Sequence, residues 1–189
     1  MSEVSSLKFE SREQVVESVR RRQSLVGADL SGLDLSGMVF AGLDMSGSDL
    51  SRADLEGVRL AGLNMTGVDL TDAELDGAQI IGANMGEANL CGVSLTAARL
   101  MGVNLKDADL TEADLSCSKL IGLNVSGANF TDVDTSDARA AGVDWSKAAV
   151  PPDDIPEPLP TPPPWLPALI LGIIALLFIL VLKKKRQAG

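Results

Sequence analysis

From Leu25 to Trp145 an apolar residue returns at every fifth position, with Thr135 the one polar centre and Ala140 a small one. Leu30, Leu35, Phe40, Met45, Leu50, Leu55 and Leu60 open the series, and Leu110, Leu115, Leu120, Val125 and Phe130 sustain it. A five-residue beat matches neither the 3.6-residue period of a helix nor the two-residue alternation of a flat strand. It requires a backbone that turns a corner in every unit. The residue two before each centre is small or apolar, as in Ala28, Leu33, Met38, Leu43, Ala53 and Val58, and glycine recurs two after it, as in Gly27, Gly32, Gly37, Gly42 and Gly47. Glycine suits a tight corner because it reaches positive φ without steric cost. The unit reads A-[DN]-L-[ST]-G, seen in Ala28-Asp29-Leu30-Ser31-Gly32, and its repetition predicts a solenoid.

This consensus runs in phase from residue 23 to about 147 without an insertion, and it resembles the pentapeptide-repeat family. The resemblance implies an all-β solenoid, a right-handed quadrilateral β-helix in which four pentads make one square coil of 20 residues. The centre and the residue two before it would point inward, and the other three positions outward. Sorting the centres by position modulo 20 supports that coil independently, because each class has its own composition. About six coils at a strand spacing of about 4.8 Å give a rod about 30 Å long. Such a rod buries its core between successive coils.

Four faces follow. Those centred on Leu30, Leu50, Leu70, Leu90, Leu110 and Phe130 and on Leu35, Leu55, Leu75, Leu95, Leu115 and Thr135 are acidic. A third, centred on Met45, Met65, Met85, Leu105 and Val125, carries Asn64, Asn84, Asn104 and Asn124, a spacing that predicts a hydrogen-bonded amide ladder. The fourth, centred on Phe40, Leu60, Ile80, Leu100, Leu120 and Ala140, differs from the rest. Val39, Arg59, Gln79, Arg99, Lys119 and Arg139 precede its centres, and Ala41, Ala61, Ile81, Met101, Ile121 and Ala141 follow them. Beyond these runs a column of glycine from Gly42 to Gly142. An apolar strip beside a basic ridge on an acidic rod reads as a contact surface. Ile81, Met101 and Ile121 are its candidate anchors, and Arg59, Arg99, Lys119 and Arg139 its polar rim.

The termini read differently. Residues 11–22 predict a short capping helix: Ser11 and Gln14 have capping-box spacing, and Val15, Val16 and Val19 form a stripe. Residues 1–22 thus form an N-terminal segment, and 23–147 the repeat domain. Residues 148–164 are proline-rich and acidic, which predicts a stiff polyproline spacer. Residues 165–182 are apolar behind Trp165 and predict a single transmembrane helix, with Trp165 as interfacial anchor. The basic tail 183–189 contributes Lys183, Lys184, Lys185 and Arg186 as further anchors. These bases favour a cytoplasmic C-terminus. The first residues, however, lack the pattern of a secretory signal, so the expected arrangement is tail-anchored with a cytoplasmic rod. The exported orientation is the alternative.

Charge narrows the function. The net charge is -10, and residues 25–149 hold 19 acids and 7 bases, a net of -12. There is no histidine, and Cys91 and Cys117 fall on different faces, so neither a metal site, a cofactor site nor a disulfide is expected. No nucleophile, base and orienting group come together in the pattern, which argues against an enzyme. The expected function is a membrane-anchored interaction scaffold that meets a protein partner, another copy of itself included, and binds no nucleic acid directly. The family resemblance implies an alternative, an acidic rod that imitates duplex DNA toward an enzyme such as a type II topoisomerase.

Overall fold

A computed structural model describes residues 7–160. On three faces of each coil the chain turns the corner predicted by the pentad. The amide three residues after a centre donates to that centre's carbonyl, as in Val58 to Leu55 (3.1 Å) and Ala73 to Leu70 (3.0 Å). The residue two after the centre takes positive φ whether or not it is glycine: Gly57 at 62°, Asp72 at 56°, Cys117 at 58°. Residues twenty apart then stack in parallel, Asp34 on Asp54 and Asp54 on Glu74. The centres and the residues two before them form one continuous core, with Leu30, Leu35, Leu70, Leu75 and Ile80 wholly buried.

Aspartate and asparagine explain why the corner closes. On the turning faces an Asp or Asn before the centre accepts a hydrogen bond from the amide two positions on, often with the hydroxyl there as a second donor. Asp34 Oδ1 takes the Ser36 amide at 3.0 Å and its Oγ at 2.6 Å. Such Asx turns favour tight reversal. The fourth face has Val, Arg, Gln or Lys at that position, none of which makes this turn, and there the chain runs extended. It forms β1 (Val39–Ala41), β2 (Arg59–Ala61), β3 (Gln79–Ile81), β4 (Arg99–Met101), β5 (Lys119–Ile121) and β6 (Arg139–Ala141), paired in parallel and in register. The strands count six coils.

The N-terminal end is covered by α1 (Arg12–Arg20), slightly shorter than the expected 11–22, with Val15 buried. Phe9 joins the same core, and Lys8 bridges Asp29 to extend the first coil. The capping box forms only in part. Ser11 is the N-cap without a side-chain bond to the helix amides, and Gln14 Oε1 instead accepts the Glu10 amide at 2.9 Å. The helix ends in a Schellman arrangement, with Arg22 (φ 54°) in the left-handed position that glycine usually fills. There Gln23 donates to Ser18 O and Arg22 to Val19 O, both at 3.0 Å.

The proline-rich segment corrects the spacer expectation. As far as Pro158 it lies on the last coil. Val150 bridges Asn129, Thr135 Oγ1 donates to Asp154 O at 2.5 Å, and β7 (Glu157–Pro158) pairs with β6. Pro152 and Pro156 are buried. Thr135 and Ala140 leave the sixth coil with little apolar volume, and this partial seventh turn covers it. Trp145 stands edge-on to Phe130, centroids 5.3 Å apart. Among the described residues no helix is long and apolar enough to cross a membrane. The transmembrane expectation for 165–182 and its anchors Trp165, Lys183, Lys184, Lys185 and Arg186 lie outside them.

Candidate interaction face

The extended backbone of β1 to β6 sets the geometry of the fourth face. In-register pairing stacks Arg59, Gln79, Arg99, Lys119 and Arg139 into one column and Ala61, Ile81, Met101, Ile121 and Ala141 into another. Each centre between the columns points into the core, so its neighbours on both sides point out. Ile81 is 48 % exposed and Met101 42 %, whereas Ile121 is half-buried. Ile121 is therefore a weaker anchor than its neighbours. Beyond them, a side chain built at Gly62, Gly82, Gly102 or Gly122 would meet nothing within 4 Å. Ten other residues with this positive φ are not glycine, so the column leaves a bare strip where the backbone conformation alone does not demand one.

The cations divide into two groups. Arg139 is ion-paired with Glu157, which β7 delivers as the next step of the same column. Arg59, Arg99 and Lys119 make no ion pair among the described residues. Like charges stacked at strand spacing repel one another, so this column is destabilising in the isolated rod.

The acidic faces are better satisfied. The Ser31 hydroxyl and then its amide hold the Asp29 carboxyl below the usual carboxylate range, and Ser36 does the same for Asp34. At Asp114 burial pushes upward, but bonds from Ser116 and Thr96 outweigh it and the carboxyl again lies low. Burial, reinforced by Asp109, Glu112 and Asp72, raises the Cys91 thiol and keeps it protonated and unreactive. No group of side chains able to hold a metal is found among the described residues. On the third face Asn104 Nδ2 donates to Asn84 Oδ1 (2.6 Å) and Asn124 Nδ2 to Asn104 Oδ1 (2.7 Å), the amide ladder expected.

All seven predicted face residues thus lie on one sheet. What the pattern did not convey is that this face alone is made of strands. The signal was present, since Asp and Asn are absent from its turn-forming position.

The family model for pentapeptide repeats, an array of eight copies, matches residues 24–57, 48–86, 81–116, 98–134 and 108–146. No curated protein matches the chain. Among solved structures, HetL, a pentapeptide repeat protein involved in heterocyst differentiation regulation from the cyanobacterium Nostoc sp. strain PCC 7120, is similar at 28% identity. That match covers 70% of this chain and 62% of HetL, with a TM-score of 0.45. A trypsin-treated form of QnrB1, a plasmid-mediated fluoroquinolone resistance protein, is 27% identical over 66% of this chain and 65% of its own, also at 0.45. Rfr23 from the cyanobacterium Cyanothece 51142 is 19% identical, covering 74% of this chain and 99% of its own, again at 0.45. The chain therefore spans less than two thirds of the length of HetL and of the trypsin-treated QnrB1. With the repeat model matching most of the chain and the pentad geometry present in every coil, the chain belongs to the pentapeptide repeat family.

Proposed function

We propose that this chain is a membrane-anchored, non-catalytic scaffold whose working surface is the face formed by β1 to β6. The observation that carries this reading is the pairing of exposed Ile81 and Met101 with Arg59, Arg99 and Lys119, cations that make no ion pair among the described residues. Apolar burial supplies affinity at about 25 cal/mol per Å², and rim charges govern rate and salt dependence. The apolar run 166–182 and the bases after it support anchoring. The rod would face the cytoplasm.

Replacing Met101 by Glu together with Ile121 by Lys tests the face. The full chain in detergent should keep its circular dichroism spectrum and lose partner binding or self-association by about a hundredfold or more, the equivalent of two apolar side chains. Unchanged binding refutes the assignment. A second reading draws on the acid columns, which give the rod the charge of a duplex-DNA mimic. Binding to a purified type II topoisomerase that disappears when Asp54, Glu74 and Asp114 are neutralised, and not with the apolar substitutions, would establish it instead.

A further inference from the structure

Resting on that interface, we propose that its partner is a second copy of this chain, whose acidic face docks antiparallel onto the basic column of the first. Both columns occupy the position just before a centre, and both climb one coil per step because their members pair with the residue twenty further on. When two such faces meet with the rods antiparallel, like columns lie opposite each other. In a parallel arrangement each would lie across from the far side of the other's centre.

The antiparallel register can be read from the sequence. Down the basic face run Arg139, Lys119, Arg99, Gln79 and Arg59, and up the acidic face run Asp34, Asp54, Glu74, Ser94 and Asp114. Lys119 falls opposite Asp54, Arg99 opposite Glu74 and Arg59 opposite Asp114. The neutral step in one column, Gln79, falls opposite the neutral step in the other, Ser94. A slip of one coil keeps Lys119 opposite a carboxylate, Glu74, and brings Arg59 opposite Asp134, but it breaks the neutral match by setting Arg99 against Ser94 and Gln79 against Asp114.

Of the two remaining pairs, Arg139 and Asp34 are already neutralised within the rod, by Glu157 and by Arg12, and Val39 falls opposite Asp134 with no charge to offer it. The three matched pairs join side chains that make no ion pair among the described residues. In this register Ile81 falls opposite Thr96, Met101 opposite Asp76 and Ile121 opposite Glu56 of the acidic face. Cations that repel one another within their own column are thereby set against carboxylates.

The contact is heterologous, so the first copy retains a free acidic face, the second a free basic face, and assembly is open-ended. Sedimentation of the full chain in detergent should show a mass that rises with concentration and falls with salt. The variants Arg99→Glu/Lys119→Glu and Asp54→Lys/Glu74→Lys should each raise the concentration needed for assembly by more than about tenfold. Mixing the two should restore assembly, since each supplies the charge the other's face now needs.

Retention of the wild-type melting profile shows that the variants fold. If a reversal unfolds, Arg99→Gln/Lys119→Gln and Asp54→Asn/Glu74→Gln should weaken assembly in the same direction. A wild-type chain that stays monomeric, or a mixture that stays dispersed, overturns the proposal. If the chain is monomeric while Met101→Glu/Ile121→Lys still abolishes binding to another protein or to a nucleic acid, the self-docking fails and the working face stands. If assembly survives Met101→Glu alone, which sets a second carboxylate against Asp76, the working face itself is refuted.

Discussion

Position two after each centre shows how single residues set the corner. Its backbone is left-handed in every coil, and an L side chain there costs about 1–2 kcal/mol relative to the right-handed region. Asp72, Asp107, Asp132 and Asp137 occupy it with a residue type that tolerates this conformation, but Ala97 (φ 58°) and Cys117 (φ 58°) do not. They continue the column in which Gly37, Gly57 and Gly77 do the same work. Ala97→Gly and Cys117→Gly should therefore each stabilise the rod by about 1 kcal/mol, since relief of strain exceeds the entropic cost of glycine. Urea unfolding of each variant measures this, and a loss of stability in both would refute it. The five-residue phase made inward and outward positions legible. It could not reveal that Ser48 Oγ finds Met45 O at 2.8 Å while Ser118 Oγ, at the equivalent buried position, has no partner among the described residues. That difference is a rotamer choice inside the coil, below the resolution of any periodicity.

Elements are held by what closes their open edges. An uncapped coil exposes unpaired backbone groups and invites further pairing. At the N-terminus α1 and the Lys8 bridge meet this need, and the capping residues announced it. At the C-terminus the need is met by the segment that composition marks as a spacer. Proline content predicts an extended chain, and the chain is extended. Docking depends on particular meetings, Glu157 with Arg139 and Thr135 with Asp154, that no local composition encodes. The weak sixth coil was the legible half of this pairing, since Thr135 and Ala140 leave a core that something else must cover. A chain ending at residue 147 should therefore melt about 5 °C or more below one ending at residue 160, given several lost hydrogen bonds and two re-exposed prolines. Equal melting temperatures would show that the seventh turn is ornamental.

On the scale of the whole molecule, charge and hydropathy are sorted along the chain and around the rod. Acids fill two faces, bases and apolar groups share a third, and the last seven residues hold four bases behind an apolar run. The fold was readable because one unit repeats through every coil, so each pentad corroborates the next. A partner's identity is a relation between two surfaces, and one sequence supplies only one of them unless the molecule partners itself. The proposed membrane attachment belongs to this scale and rests on residues beyond the rod, whose unit ends at Pro158. About 17 apolar residues at 1.5 Å per residue span about 26 Å, close to a bilayer core once Trp165 and the terminal bases reach the interfaces. The full chain should therefore stay with membranes through a high-salt wash, because salt screens surface charge and leaves apolar insertion untouched. A chain ending at Pro164 should appear in the soluble fraction with the same β-rich spectrum. If the shortened chain still sediments after the wash, the rod binds membranes by itself and the apolar run is not the anchor. Protease added to intact cells then reports the side: a protected rod supports the cytoplasmic arrangement, and cleavage near residue 160 from outside supports export.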